Sequence, residues 1–171
     1  LILRQHITLE QDAFQTYYER SLQMLMTYTE TFDLYIDLHR DAYYGDGTPQ
    51  SIALTCGDER YATVMILLGR GKNFNQKPDY EANYAFACAV TGSMERTLPG
   101  STRPVMSTDN RYNQHIGTPS LLVEVGHNKN TLAEALAVLP TLASAIDETL
   151  SGAPQSEGER VDDTEPLPFA G

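Results

Sequence analysis

The chain alternates between segments with the apolar spacing of helices and short apolar runs typical of strands. Asp12 and Gln15 resemble an N-cap and its partner, and the aromatic and leucine residues that follow predict a helix ending near Glu30. The runs FDLYIDL, SIALTC and YATVMILLG then predict three strands in succession, the last of them long.

The second half of the chain continues the same alternation. Asp79 begins a helix predicted over YEANYAFACAVTGSMER, which the dipeptide at 99–100, Pro-Gly, ends. RPVM is a candidate short strand, and SLLVEV is predicted as a buried strand. Thr131 and Glu134 have the spacing of a capping box and predict the start of the last helix.

Apolar strands alternating with helices predict an α/β fold, with a central, mostly parallel sheet flanked by helices. We assign residues 1–150 to one domain and 151–171 to an acidic tail. The tail carries five acidic residues against Arg160 alone and has few apolar residues, a composition that predicts disorder.

Charge and hydropathy exclude some functions. The net charge is −11 and no basic stripe is visible, so nucleic acid is not an expected partner. No apolar run is long enough to span a membrane. The amino terminus resembles neither a signal peptide nor a transit peptide and reads as the interior of a longer chain, so any export signal or anchor is expected upstream.

The two cysteines permit at most one disulfide bond. Cys88 lies in the apolar run YAFACAV and Cys56 ends SIALTC, and both positions favour a buried free thiol. Cys56 has no identifiable histidine partner, so we do not predict it as a nucleophile. The cysteine count leaves the compartment open.

Ionisable residues gather at the ends of two predicted strands, where α/β folds bind their ligands. Asp37, His39, Arg40 and Asp41 lie at the end of the FDLYIDL strand, and Glu124 lies inside LLVEVG. A carboxylate is rarely left inside a strand unless it is paired or functional. If the two strands run parallel, His39 and Glu124 emerge at the same edge of the sheet and form one wall of an active site.

Structural interpretations of the same residues stay open. A lone histidine at a strand end is more often a hydrogen-bonded structural residue than a metal ligand. Glu124 has an alternative role as the ion-pair partner of Arg40. The segment GRGKN resembles a phosphate loop only faintly, because it lacks the spacing and the following Ser or Thr.

Four motifs in order, DLHRD, YNQ, LLVEVG and NTLAEAL, resemble the stage II sporulation protein P family. The flanking segments YYERS, ILLGRG, YEANYAFA and LPGSTRPV extend the resemblance from about Leu9 to Gly152. It implies a zinc-dependent N-acetylmuramoyl-L-alanine amidase that thins septal peptidoglycan during engulfment in endospore-forming bacteria. The implied partners are peptidoglycan and other engulfment proteins at the septal membrane, and the implied location is extracytoplasmic, through an N-terminal anchor.

The resemblance assigns roles to particular residues. It implies that His39 is a zinc ligand and that Glu124 is the catalytic carboxylate. The family's other ligands, a His and a Glu in an HTH..E segment on the first strand, are expected upstream of Leu1, because His6 in RQHITLEQD does not match that segment. The chain thus resembles the carboxyl-terminal part of a zinc amidase-like domain, predicted to be inactive alone. His115 follows YNQ where the family usually has an acid.

General zinc chemistry fits these roles. Catalytic zinc has three protein ligands and an open position for water, and a nearby carboxylate such as Glu124 can move the proton of that water. Asp37, two residues before His39 on the same face of a strand, is expected to hold the second ring nitrogen, with Asp41 as the alternative. Arg40 is expected either to bind a stem-peptide carboxylate or to neutralise Glu124.

One function from another class stays open. Because a single histidine cannot hold zinc tightly, the chain is alternatively a non-catalytic module that binds peptidoglycan or docks a partner.

Overall fold

The computed structural model describes residues 17–42 and 53–152, and in that part of the chain it contains three helices and six strands. In chain order these are α1 Tyr17–Leu25, β1 Tyr35–Asp41, β2 Ala53–Cys56, β3 Glu59–Ala62, β4 Val64–Gly69, α2 Tyr80–Thr97, β5 Met106–Thr108, β6 Ser120–His127 and α3 Leu132–Leu150. Within the described residues, no helix is long and apolar enough to cross a membrane.

Four strands form the main sheet in the order β1, β6, β4, β5. β1 runs parallel to β6 and β4 runs parallel to β5, whereas β4 and β6 are antiparallel. Helix α2 connects β4 to its parallel neighbour β5, as parallel pairs require a long crossover. The prediction of an α/β fold with a mostly parallel sheet is therefore confirmed.

The two faces of the sheet have different partners. Residues 120–127 of β6 are all buried, and alternate side chains point to opposite faces. Helices α2 and α3 cover the face that carries Leu121, Val123 and Val125. The helical residues in this core are Ala87, Val90, Met94, Val138, Leu142 and Ala145. Glu124 points to the other face, where α1 lies.

The apolar run YATVMILLG is two strands, and its prediction as one long strand was wrong. β3 pairs antiparallel with β2 in a separate two-stranded sheet, whereas β4 enters the main sheet. Thr63 lies between them, and its carbonyl accepts a hydrogen bond from the Gly126 amide. The chain thus changes pairing partners at Thr63, a single polar residue inside an otherwise apolar run.

Both predicted helix caps that fall within the described residues are confirmed. The Asp79 side chain accepts a hydrogen bond from the Ala82 amide, and Thr131 and Glu134 form a complete capping box. Helix α1 ends at Leu25 rather than near Glu30. The turn after it is stabilised by the Thr27 hydroxyl, which donates to a backbone carbonyl and so competes with helix continuation. The predicted cap at 12–15 lies outside the described residues.

Both cysteines are free, but the prediction that they are buried was wrong. Cys88 follows Ala87, which belongs to the buried face of α2. One residue along a helix is a rotation of about 100°, which turns the Cys88 thiol to solvent. Cys56 is exposed because it ends β2 at the tip of the hairpin, just before the turn residue Gly57.

Glu134 is a buried carboxylate whose oxygens are well bonded. Oε1 accepts from Arg60 Nε at 2.7 Å, and Oε2 accepts from the Thr131 amide at 2.9 Å and from Asn130 Nδ2 at 3.1 Å. The Arg60 hydrogen bond, followed by those from Thr131 and Asn130, lowers the pKa of Glu134 to about 2. The carboxylate ties the hairpin, the loop after β6 and α3 together.

Glu134→Gln is expected to lower the free energy of unfolding at neutral pH by about 1–3 kcal/mol, because it removes the charge of a buried acceptor that Arg60, Asn130 and Thr131 share. Since the folded pKa lies below the ordinary 4.5, the ionised form stabilises the fold above pH 4.5, and this stabilisation is lost as the pH falls from 4.5 towards 2. Thermal unfolding of both proteins across this range measures the effect. Midpoints that are equal at neutral pH, or a difference that does not shrink in acid, would contradict it.

Candidate functional site

The parallel pairing of β1 and β6 sets His39 directly beside Glu124 in the register of the sheet. The two side chains point to the same face, opposite α2 and α3, near the carboxyl ends of their strands. The sequence predicts that His39 and Glu124 lie together if their two strands run parallel, and the strands do run parallel. The candidate site is therefore a strip of polar side chains on this face, beside Tyr18 of α1.

Glu124 is the buried acid of this strip. It is 8 % exposed, and its Oε2 is buried without a hydrogen-bond partner among the described residues. Burial raises the pKa of Glu124, although the nearby charges of His39 and Arg103 oppose the rise. Buried polar atoms are nearly always bonded, so the unpaired oxygen together with the raised pKa makes Glu124 a candidate functional residue.

His39 is held by a carboxylate on its own strand. Asp37 Oδ1 lies 2.8 Å from His39 Nε2, and both side chains are about two-fifths exposed. The hydrogen bond that the His39 ring donates to Asp37 raises the pKa of His39, and burial partly opposes the rise. Residues two apart on a strand share a face, so this contact follows from the sequence spacing. It leaves Nδ1 as the ring nitrogen that Asp37 does not engage.

Arg40 and Asp41 bind other groups. Arg40 Nε donates to the His127 carbonyl at 2.9 Å and its Nη2 donates to the Asn130 carbonyl, so this side chain holds the loop after β6. An irregularity in the register between His39 and Asp41 turns Asp41 towards Arg103, whose Nη1 lies 2.6 Å from its Oδ2. The ion pairs of the described residues do not join Arg40 to Glu124. Arg40 as a substrate ligand stays a prediction.

Three residues near the site were given no role in the sequence analysis: Tyr18, Tyr112 and Arg103. Tyr18 of α1 lies with its ring parallel to that of His39, at 6.3 Å between centroids and 6° between planes. Tyr112 meets the Tyr18 ring edge-on at 5.6 Å. Burial, followed by the charge of Asp37, raises the pKa of Tyr18 to about 12, so the phenol stays protonated. The YYERS and YNQ motifs contained two of these residues, and Arg103 lies in LPGSTRPV.

Comparison with known families supports the same reading of these motifs. The model of the family described as Stage II sporulation protein P (SpoIIP) matches residues 3–147, well over half of the chain. The chain belongs to the SpoIIP family. The resemblance drawn from the four motifs is thereby confirmed. Membership of this family supports a role in sporulation, and such a role fits a protein of the cell envelope. Searches of the curated proteins and of the solved structures returned no match.

The SpoIIP motif YNQ connects elements of the fold. Gln114 is buried, and its amide accepts from the Gly69 amide at 2.8 Å and donates to the Leu67 carbonyl at 2.9 Å, which closes the end of β4. Asn113 Nδ2 donates to the Tyr18 carbonyl at 2.6 Å. His115, which follows the motif, lines a groove of about 610 Å³ beside Leu22 and Tyr35.

The sequence resemblance implies zinc, and the structure shows which possible donors the described residues bring together. His39 offers an imidazole, and the carboxylates of Asp37 and Glu124 lie on the same face. The described residues contain no group of three His, Cys, Asp or Glu side chains that could hold a metal ion, whereas catalytic zinc takes three protein ligands. These residues alone therefore do not make a zinc site.

Proposed function

We propose that the protein is a zinc-dependent N-acetylmuramoyl-L-alanine amidase. Such an enzyme hydrolyses the amide between N-acetylmuramic acid and the L-Ala of the stem peptide, and its role here is septal wall thinning during endospore engulfment. The observation that carries the proposal is Glu124, a buried acid with an oxygen left unbonded in the described part of a SpoIIP chain, beside His39. Its substrate is peptidoglycan, and other engulfment proteins at the septal membrane are its proposed partners.

The chain's own contribution to the reaction is proton transfer. Water adds to the amide carbonyl carbon, the carbon–nitrogen bond breaks, and the proton taken from water ends on the leaving amine of L-Ala. Glu124 accepts that proton and delivers it, and burial favours the protonated form that the second half of the reaction needs. Asp37 fixes the tautomer and orientation of His39.

Zinc supplies the other half of the chemistry when it is bound, by lowering the pKa of a water molecule and polarising the amide carbonyl. In this proposal His39 is one ligand, and the remaining ligands lie outside the described residues. The proposed location is extracytoplasmic, with an N-terminal segment as the membrane anchor.

Incubation of the full-length protein with purified peptidoglycan tests the activity. An amidase releases stem peptides with a free amino-terminal L-Ala and creates no new reducing sugar ends. A chelator should abolish the release and added zinc should restore it. New reducing ends without free L-Ala, or release that a chelator does not affect, would contradict the proposal.

A non-catalytic module that binds peptidoglycan or docks a partner is the second candidate function. The incomplete set of metal donors among the described residues favours it. In the same assay this function gives sedimentation with peptidoglycan and no released peptide from the full-length, zinc-loaded protein.

A further inference from the structure

The His39 ring is restrained by residues from two different elements. Asp37, on its own strand, contacts Nε2 at 2.8 Å. Tyr18, on α1, lies parallel to the ring at a centroid distance of 6.3 Å, within the range in which offset rings attract each other. A partly exposed side chain otherwise samples several rotamers, so the two contacts together select one orientation.

Tyr18 is in turn held by the loop that carries YNQ. Asn113 Nδ2 donates to the Tyr18 carbonyl at 2.6 Å and to Ser21 Oγ at 3.0 Å, so it fixes the first turns of α1. Tyr112 packs edge-on against the Tyr18 ring. Its hydroxyl accepts hydrogen bonds from Thr108 and Asn110, at 3.0 Å and 3.2 Å.

The backbone of this loop has an infrequent conformation at two residues, which contacts with the surrounding structure hold in place. Tyr112 and Asn113 have φ angles of 50° and 57°, a left-handed conformation that side chains other than glycine adopt infrequently. Such strain persists where the surrounding contacts over-determine it, and it clusters at functional sites. Both strained residues contact Tyr18, which in turn contacts His39.

We propose that Tyr18 is a positioning residue that fixes the ring plane of His39, and that Tyr112 and Asn113 hold Tyr18 in place. The aromatic ring performs this task and the phenol oxygen is not required for it. The consequence for turnover rests on the amidase function proposed above, whereas the effect on the His39 ring does not.

Proton NMR of the histidine rings, recorded without added metal, tests the restraint itself. The His39 ring signals are identified by their loss in His39→Gln. The ring current of a stacked tyrosine displaces these signals, so Tyr18→Leu should remove the displacement and Tyr18→Phe should retain it. Tyr84→Leu is the matched control, because Tyr84 is also in a stacked pair, with Tyr80 at 5.9 Å, but packs on the core at the other face of the sheet. Unchanged His39 signals in Tyr18→Leu would overturn the proposal.

Turnover on purified peptidoglycan tests the consequence. Tyr18→Leu should lower kcat by about 10- to 100-fold, as loss of a residue supporting a ligand does, with KM little changed. Tyr18→Phe and Tyr84→Leu should stay within about twofold of the parent. A Tyr18→Phe loss as large as that of Tyr18→Leu would overturn the role of the ring in favour of the hydroxyl.

Two precautions keep the result decisive. Tyr18→Met replaces Tyr18→Leu if that variant does not fold, because the flexible methionine side chain fills irregular gaps and also carries no aromatic ring. If the parent protein releases no peptide at all, the amidase proposal fails, and the NMR comparison still decides whether Tyr18 orients His39.

Discussion

Glu124→Gln is expected to lower the turnover of stem-peptide release by about 10²- to 10⁴-fold, the usual contribution of a general acid–base residue. Glutamine keeps the volume of the side chain but cannot accept and return a proton. The fold and the zinc content should survive. The measurement combines kcat on purified peptidoglycan, the thermal midpoint and the metal content of the full-length protein.

The stability of this variant separates a catalytic role from a structural one. Glu124 Oε2 has no partner to lose among the described residues, and removing a buried charge relieves its desolvation. We therefore expect the midpoint at neutral pH to be equal to or above that of the parent. Had Glu124 neutralised a buried Arg40, the same change would cost a few kcal/mol; Arg40 instead binds the carbonyls of His127 and Asn130.

Glu134→Gln is the matched control, because it makes the same chemical change at the other buried glutamate of the described residues. Glu134 is fully engaged by Arg60, Asn130 and Thr131, so its variant should lose stability and keep its turnover per folded molecule. The two variants should thus show opposite patterns. A stable, zinc-loaded Glu124→Gln protein with near-normal turnover would remove Glu124 from the mechanism.

Local sequence pattern was enough to predict the fold class and the meeting of His39 with Glu124. Strands alternating with helices favour parallel pairing, and polar residues at the ends of parallel strands share an edge. The Asp37–His39 contact follows from the period of two along a strand. Each of these inferences uses only spacing along the chain or a general rule of sheet topology.

The predictions that were wrong or missing share a physical cause. A pattern along the sequence does not show which distant segment a strand or side chain contacts. The run YATVMILLG is apolar apart from Thr63, and only tertiary pairing shows that β3 joins β2 while β4 joins β6. Tyr18 reaches His39 because Asn113, far along the chain, holds α1 against the sheet. The pairing of Asp41 with Arg103 depends on a register irregularity that no spacing rule encodes.

His39→Ala is expected to remove most of the zinc from the full-length protein, which should carry about one zinc ion per chain when intact. Losing one of three protein ligands removes a metal bond and leaves Asp37 without the imidazole that it orients. The measurement is elemental analysis after dialysis, together with the thermal midpoint, which should fall because metal binding stabilises the folded state.

Two comparisons make the zinc result specific to this site. His115→Ala is the matched histidine control, because His115 lines the groove beside Tyr35, at the start of β1, about 13 Å of strand away from His39. It should keep its zinc. Residues 1–171 alone should bind zinc weakly, because the proposed function assigns them a single zinc ligand, His39. Tight binding of one zinc ion by residues 1–171 would locate the remaining ligands within this chain, and unchanged zinc content in His39→Ala would exclude His39 as a ligand.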